Sequence, residues 1–446
     1  MVAKTTARRI PKTPGDRLQD ELIEIAGGMV ATNEAIDSIR QLRDELCSAF
    51  IGRDHIIDSL LVALVAREHA VLLGPPGTGK SDLVRALFSA ISDESEHFQT
   101  LLTRYSKPIE VLGPMDLQEM KRGRYVTRTE GYLPTARTAF LDEIFKANSS
   151  ILNALLTILN ERLFAPDPSK GFQSVPLEMC VGASNEMPED ETAALWDRFA
   201  VRHWIEYFKD EKSVTEMILL EGDPKEKVTV KIDLHHLDAV RAEVPNVTFE
   251  GRSVEILRDI VLRLGERGLR PSERKIRKAK KMVRAQALLN GRRSVEGPDF
   301  EVLCHVLWNK PGEITAVREV VMEIAFPLKA DLQRIQDAAQ SSWMVLQSSC
   351  QPNTGTGTPD LARATAAIAQ FNSELSQQLD EVEKLSQEHP GNEDTIDEAM
   401  KDLERLQDES DKMAQQIITP RRRSRRRRVH RSGQPETISG GDSEEA

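Results

Sequence analysis

The eight residues from Gly74 to Ser81, GPPGTGKS, constrain the fold of this chain more than any other stretch. They match the phosphate-binding pattern Gly-x4-Gly-Lys-Ser/Thr, and they stand between an apolar run typical of a strand and a run of helical period. Glycines let backbone N–H groups surround phosphate oxygens, and the N-terminus of the following helix adds partial positive charge. Lys80 is expected to reach the β- and γ-phosphates of a nucleotide, and Ser81 to bind Mg²⁺. The predicted loop consists of Gly74, Pro75, Pro76, Gly77, Thr78, Gly79, Lys80 and Ser81.

Two further strand ends carry polar groups suited to hydrolysis. The apolar run Thr138–Leu141 leads into Asp142 and Glu143, which are expected to hold Mg²⁺ and to deprotonate the attacking water, respectively. The run Leu177–Ala183 leads to Asn185, whose amide would polarise the same water. Alone, the two acids are also typical of a turn or a helix cap, and the asparagine of a turn. Together with the glycine-rich loop they predict a catalytic site.

Short apolar runs alternate with helix-period runs through the first half of the chain, which predicts an α/β domain with a mainly parallel sheet. The predicted strands are Ala70–Leu73, Phe98–Thr103, Thr138–Leu141, Leu177–Ala183 and Val201–Tyr207. Amphipathic helices are expected before them, and helical segments dominate after Lys209. The later helices are expected at Val254–Gly265, Glu273–Leu289, Pro298–Trp308 and Glu313–Leu346.

The C-terminal third is predicted to form a helical bundle and a tail. Residues 349–360 are rich in turn formers and predict a linker. Two amphipathic helices within 361–418, separated at His389–Asn392, are expected to pack against Glu313–Leu346. The tail from 419 is Arg-rich and then acidic, and we expect it to be disordered. Its cluster Arg421–Arg431 either binds nucleic acid through phosphates or is a solvated tail.

Composition excludes several classes of protein. The 446 residues carry a formal net charge of −11, with 29% charged and 39% hydrophobic residues, which is a globular balance. The longest uncharged apolar run, Leu60–Ala66, is too short to cross a bilayer. Four scattered cysteines lack the spacing of a zinc site or a disulfide framework, which favours a reducing, cytoplasmic setting. Residues 1–15 exclude a secretory signal and predict a disordered leader, with a transit peptide as the alternative.

The sequence resembles an AAA+ ATPase. The resemblance rests on three features in this chain order: the glycine-rich loop, the strand end Phe140–Glu143 and the strand end Ala183–Asn185. More narrowly, the run from Gly131 to Arg162 resembles the MoxR class and, within it, the RavA group. The resemblance implies an α/β AAA+ P-loop NTPase core with a parallel sheet, a helical lid domain and a C-terminal helical bundle. The expected limits are 1–15 for the leader, 16–208 for the core, 209–310 for the lid, 311–348 with 361–418 for the bundle, and 419–446 for the tail.

The resemblance also implies roles for residues outside the three motifs. Arg198 would be the arginine finger that completes a neighbouring subunit's site, with Arg202 as the poorer candidate. The segment Ile51-Gly52-Arg53 resembles the one that lies over the adenine. Arg274 would be the sensor 2 residue that touches the nucleotide from the lid, although Arg270 and Arg277 stay open as alternatives.

An arginine supplied by a neighbour implies a ring, hexameric in the family, and a protein partner with a von Willebrand A domain. The family's two hairpins, at Met115–Leu133 and Phe164–Pro176, would engage substrate. RavA carries an inserted β-rich domain where this chain has only residues 349–360, so RavA's decarboxylase partner is not transferred.

Three functions are therefore distinguished. The first is an ATPase that uses ATP and Mg²⁺ to remodel or assemble partner proteins. The second is a nucleic-acid-dependent motor or loader that uses the Arg-rich tail. The third is a nucleotide-gated scaffold, which is disfavoured because the lysine, both acids, the asparagine and the arginine candidates are all present.

Overall fold

The computed structural model describes residues 14–91, 96–188, 192–351, 361–388 and 393–418. They divide into two compact units, one up to Pro327 and one from Leu328, and each unit has its own hydrophobic cluster. The Arg-rich tail, the turn at His389–Asn392, most of the predicted linker and the first thirteen residues of the predicted leader lie outside the described residues.

A parallel sheet forms the centre of the first unit. In chain order the described strands are β1 (His69–Leu73), β2 (His97–Leu101), β3 (Thr138–Asp142), β4 (Leu163–Phe164), β5 (Gln173–Ser174), β6 (Met179–Ser184) and β7 (Phe199–Trp204). Five of them pair in parallel in the order β2-β3-β6-β1-β7, while β4 and β5 form a separate antiparallel pair. Every residue of β1 and β6 is buried, which is typical of a parallel sheet covered by helices. The predicted α/β class is confirmed.

The register of the sheet brings three strand ends together. Leu73 of β1 pairs with Ser184 of β6, and Leu141 of β3 pairs with Gly182 of β6. Because all three strands are parallel, the residues that follow them lie at one edge. We call this the carboxyl edge of the sheet.

Helices account for most of the remaining first unit. Those described are α1 (Pro14–Ala49), α2 (Asp54–Val65), α3 (Lys80–Ser89), α4 (Pro108–Leu112), α5 (Leu117–Lys121), α6 (Ser149–Glu161), α7 (Ala193–Trp196), α8 (Glu211–Leu219), α9 (Leu234–Glu243), α10 (Arg252–Glu266), α11 (Glu273–Leu289) and α12 (Ile314–Ala325). Helix α1 begins two residues inside the predicted leader, since proline is favoured in the first turn of a helix.

Two helix predictions after Lys209 are wrong in detail. The stretch predicted as helix Pro298–Trp308 is a 3-10 helix, Gly297–His305, in which Asp299 and Glu296 cap the first turn. The predicted helix Glu313–Leu346 is broken between α12 and α13 (Pro327–Ser349). Pro327 has no N–H and forces Phe326 out of the helical region, to φ −131° and ψ 57°.

This break moves the start of the bundle. Helix α12 packs against α10 and the 3-10 helix Gly297–His305 within the first unit. The division therefore lies at Pro327, and not after residue 310 as the sequence predicted.

The second unit consists of α13, α14 (Leu361–Glu388) and α15 (Glu393–Ile418) among the described residues. All three contribute to one hydrophobic cluster. The rings of Trp343 and Phe371 lie 5.4 Å apart between α13 and α14, and α15 adds Leu403.

The described helices include none with an apolar stretch long enough to pass through a lipid bilayer.

Candidate active site

The glycine-rich loop connects β1 to α3 at the carboxyl edge. Gly74 has φ +140°, and a Cβ on it would lie 2.1 Å from the carbonyl oxygen of Ile205. Gly77 and Gly79 both have φ +78°, with open space outside them. Helix α3 starts after Gly79 and has no side-chain cap, so its first N–H groups face the loop. This arrangement suits an anion such as a phosphate.

Lys80 is buried at the start of α3. Its Nζ donates to the carbonyl oxygens of Gly74 and Pro75, at 2.7 Å each, and lies 3.3 Å from Oδ1 of Asn185. Burial lowers the pKa of Lys80, while the nearby carboxylates of Asp142 and Glu143 oppose the shift. The ammonium is therefore held between the loop and the acids.

Asp142, Glu143 and Asn185 meet because β3 and β6 are neighbours. Asp142 accepts a hydrogen bond from the backbone N–H of Glu143 at 3.0 Å. Glu143 has left-handed backbone angles, φ 51° and ψ 42°, and its carboxylate accepts a hydrogen bond from Nδ2 of Asn185. Lys146 Nζ lies 3.2 Å from the other carboxylate oxygen of Glu143. Asn185 thus links Lys80 to Glu143 through its two amide atoms.

A cavity of about 330 Å³ adjoins the loop. Its walls include Ile51, Arg53, Tyr207 and Phe208 together with the loop from Gly77 to Lys80. The Arg53 guanidinium lies 4.5 Å from the centre of the Phe208 ring, and the hydroxyl of Tyr207 donates to the Pro76 carbonyl at 2.8 Å. An apolar cavity beside a phosphate loop fits a nucleoside.

The turn at Gly52 brings Ile51 and Arg53 to this cavity. Gly52 has φ +64°, and a Cβ there would meet Phe208 Cε1 at 3.0 Å. The predicted adenine segment and the predicted phosphate loop therefore line one cavity. A larger cavity, of about 750 Å³, includes His55 and His305 in its walls and none of the predicted site residues.

Mg²⁺ fits the donors present at this edge. Ser81 contributes a hydroxyl from α3, and Asp142 a carboxylate from the end of β3. Within the described ranges no three His, Cys, Asp or Glu side chains are grouped to hold a metal by themselves. Mg²⁺ commonly takes only one or two carboxylates and completes its shell with phosphate oxygens and water. Ser81 and Asp142 would hold such an ion.

The preferred candidates for the arginine finger and for sensor 2, Arg198 and Arg274, lie at the opposite, amino edge of the sheet. Arg198 immediately precedes β7, whose first residue, Phe199, pairs with His69 at the start of the parallel strand β1. Five strand residues span about 16 Å, so Arg198 lies far from the loop of its own chain. Arg274 Nη1 donates to Asp197 Oδ2 at 2.7 Å. The structure thus places Arg274 with Arg198 and not in the cavity beside the loop.

The Arg198 guanidinium has unused hydrogen-bonding capacity. Its Nε and Nη1 atoms are buried, and neither has a hydrogen-bond partner. Burial, and then the positive charge of Arg274, lower the pKa of Arg198. Such a group favours a negatively charged ligand.

Arg202, the poorer finger candidate, is a structural residue. It is 1% exposed, and its guanidinium donates to the carbonyl oxygens of Trp308 and Trp196, at 2.6 and 3.1 Å. It also lies 4.5 Å from the centre of the Trp196 ring, and burial lowers the pKa of Arg202 to about 10. It has no route to a neighbouring molecule.

Sequence reasoning missed Lys278. Its Nζ donates to the carbonyl oxygens of Arg198 and Asp197, at 2.6 and 3.2 Å. A signal was available, because Lys278 lies on the same side of α11 as the buried Lys275 and Met282. A lysine on the apolar face of a helix needs partners in the interior.

Comparison with known proteins gives two family matches and several relatives. Residues 37–241 match a family described as the MoxR domain in the MoxR-vWA-beta-propeller ternary systems, and residues 253–321 match an AAA lid domain. An uncharacterised protein of Methanocaldococcus jannaschii is 38% identical over 294 residues, which cover 66% of this chain and 76% of that protein. The chaperone MoxR1 of Mycobacterium tuberculosis is 24% identical over 152 residues, 34% of this chain and 39% of MoxR1.

The fold has a counterpart among solved structures. A putative ATPase from Cytophaga hutchinsonii superposes with a TM-score of 0.53 at 18% identity, covering 68% of this chain and 97% of that one. At this identity the likeness concerns the fold. The two family matches lead to one conclusion: the chain carries a MoxR domain at residues 37–241 and an AAA lid domain at residues 253–321, which supports its place in the MoxR class of AAA+ ATPases.

Proposed function

We propose that this protein hydrolyses ATP in a magnesium-dependent reaction and uses the resulting conformational cycle to remodel or assemble partner proteins. The observation that carries the proposal is the amide of Asn185, which joins the loop lysine to the carboxylate of Glu143. A lysine for the phosphates, a carboxylate for the water and an amide between them are the parts that phosphoryl transfer to water requires.

Each residue has a defined task in this reaction. Lys80 and the N–H groups of the loop bind the β- and γ-phosphates. Glu143 accepts a proton from the water that attacks the γ-phosphorus, and Asn185 orients that water and the carboxylate. Ser81 and Asp142 would hold Mg²⁺, which when bound would neutralise charge on the phosphates. The products are ADP and phosphate.

We further propose that Arg198 acts on the nucleotide of a second copy of the chain. The amino edge, where Arg198 lies, is a full strand length from the loop of the same chain. Phosphoryl transfer gains from positive charge opposite the developing oxyanions, so the site is complete only between subunits. Arg274, paired with Asp197, reaches the same interface from the lid. The arrangement repeats head to tail and closes into a ring, for which six subunits is the family expectation.

The remodelling role is supported by the comparisons and by the surface. The matching family occurs in systems with a von Willebrand A protein, and a relative is named a chaperone. Tyr105, Tyr125 and Phe172 are 91%, 67% and 65% exposed, so large aromatic side chains are available to a client. A closer relation to the RavA group stays a prediction from the run Gly131–Arg162.

Steady-state ATP hydrolysis across a range of protein concentrations tests the proposal, with molar mass read by light scattering. Activity should rise cooperatively as the protein assembles. Arg198→Ala should assemble but lose about 10³-fold or more in kcat, the range known for arginine fingers. Arg252→Ala, a change in an exposed ion pair with Glu255, should hydrolyse ATP like the parent protein.

Two results would contradict the proposal. If Arg198→Ala hydrolyses ATP normally, the finger assignment is wrong. If hydrolysis is negligible in every assembly state while ATP still binds, the protein is a nucleotide-gated scaffold.

A further inference from the structure

The segment that carries Arg198 is held by the lid helix α11. Lys278 Nζ donates to the carbonyl oxygens of Arg198 and Asp197, at 2.6 and 3.2 Å. One helical turn earlier, Arg274 is paired with the Asp197 carboxylate at 2.7 Å. Two cations of the lid thus contact the two residues that join α7 to β7.

Lys278 is itself fixed from the core. Its side chain is 15% exposed, and its Nζ lies 3.5 Å from a carboxylate oxygen of Glu68, the residue just before β1. Burial lowers the pKa of Lys278, and Glu68 opposes this shift. A buried ammonium with two carbonyl partners and one carboxylate has little freedom to reorient. Lys278 of the lid therefore contacts both the residue before β1 and the Arg198 segment through a single ammonium group.

Two nitrogens of the Arg198 guanidinium have no hydrogen-bond partner, so these two atoms do not help to fix the side chain. The position of Arg198 therefore depends on contacts to its backbone. The contact between Lys278 and Arg198 is made to the backbone carbonyl. This contact fixes the backbone position of Arg198 and leaves its guanidinium available to another ligand.

We propose that Lys278, oriented by Glu68, is a positioning residue for the arginine finger, and that it transmits movement of the lid to Arg198. The inference rests on the proposed function, since it assigns Arg198 to the site of a second copy. Lys278 does not touch the nucleotide. Its loss displaces the finger while the phosphate loop of the same chain stays intact.

Lys278→Met in the 446-residue chain tests this inference, and Lys281→Met is the matched control. Lys281 lies on the same helix and is also paired with Glu68, at 3.3 Å, but no hydrogen bond joins it to Asp197 or Arg198. Lys278→Met should lower kcat about tenfold to a hundredfold with little change in KM, as expected for a misplaced catalytic group. Lys281→Met should keep the kcat of the parent protein.

Mixing subunits separates a displaced finger from general damage. Subunits of Arg198→Ala have an intact loop, and subunits of Glu143→Gln have an intact finger, so a mixture forms some complete sites. In a random equal mixture about a quarter of the interfaces are complete in a head-to-tail ring. Lys278→Met mixed with Glu143→Gln should regain activity to the same extent, because only its finger is impaired.

The outcomes are distinct. If Arg198→Ala and Glu143→Gln complement each other but Lys278→Met retains full kcat or fails to complement, the positioning role is wrong and the proposed function stands. If Arg198→Ala and Glu143→Gln do not complement, the finger assignment and this inference both fail. Thermal unfolding verifies that each variant is folded. Lys278→Gln, which keeps a donor for one carbonyl, should lie between Lys278→Met and the parent protein, and it replaces Lys278→Met if the latter does not fold.

Discussion

The candidate catalytic base, Glu143, has a strained backbone conformation. A non-glycine residue in left-handed backbone angles costs about 1 to 3 kcal/mol, and such strain is common at functional sites. In this protein the strain turns the carboxylate toward Asn185 at the edge of the neighbouring strand.

Replacing this carboxylate by an amide is a residue-level prediction. Glu143→Gln keeps the shape of the side chain and an oxygen that accepts the Asn185 hydrogen bond, but it removes the base. We expect kcat to fall by about 10² to 10⁴-fold, with ATP binding unchanged in a fluorescent-nucleotide titration. Glu186→Gln, at an exposed residue next to Asn185, is the control. Unchanged hydrolysis in Glu143→Gln would show that another group is the base.

At the scale of elements, the loop between β1 and α3 depends on the position of β7. The backbone of Gly74 contacts the carbonyl of Ile205, which follows β7, and Ile205 N–H donates to Leu73 at 2.7 Å. The conformation of the phosphate loop is thus shaped by a segment about 130 residues later in the chain, as well as by its own glycines.

Gly74→Ala tests this coupling. The positive φ costs about 1 to 2 kcal/mol for any other residue, and the overlap with Ile205 should add about 1 to 3 kcal/mol. We expect a matching fall in the free energy of unfolding, measured by urea denaturation with tryptophan fluorescence. Gly123→Ala, also at a positive φ but with open space around it, should show only the first cost. Equal losses in the two variants would contradict the coupling.

On the scale of the whole molecule, the core and the lid share a cluster of histidines. His203 on β7 is buried. The centroid of its ring lies 4.3 Å from that of His305 in the 3-10 helix and 5.7 Å from that of His55 on α2. Its Nε2 lies 2.5 Å from Oγ of Ser59. Burial, and then the charges of His305 and His55, hold the pKa of His203 well below its usual value. Burial likewise lowers the pKa of His305 to about 3.

This cluster predicts loss of stability in mild acid. The unfolded chain binds a proton at His203 below about pH 6.5, whereas the folded chain does not, so stability is present above that pH and falls as the pH decreases. Each such histidine contributes about 1.4 kcal/mol per pH unit below pH 6.5. In urea denaturation at pH 7.5 and pH 5, the free energy of unfolding of His203→Gln should fall by about 2 kcal/mol less than that of the parent protein, so its slope against pH is smaller. His235→Gln, on the exposed side of α9, should keep the parent slope, and equal slopes for both variants would contradict the prediction.

Local spacing determined a large part of this protein. Three features depend only on neighbours in sequence: the order of glycines and lysine in GPPGTGKS, the acids that end an apolar run, and the alternation of strands with helices. The sequence alone therefore predicted the α/β class. It also predicted Lys80, Asp142, Glu143 and Asn185 as a set of site residues. The precise helix limits were less predictable, as Pro327 and the 3-10 helix Gly297–His305 demonstrate.

The tertiary structure decided what joins these local features across the chain. Strand order places β6 between β1 and β3, and this order allows Asn185 to contact both Lys80 and Glu143. The fold also places Arg198 at the opposite edge of the sheet and buries Arg202. Packing of the lid helix brings Arg274 and Lys278 into contact with the Arg198 segment. The physical reason is that strand pairing and side-chain packing act between residues far apart in sequence, and hydrophobic periodicity records which face of an element is buried but not which element covers it.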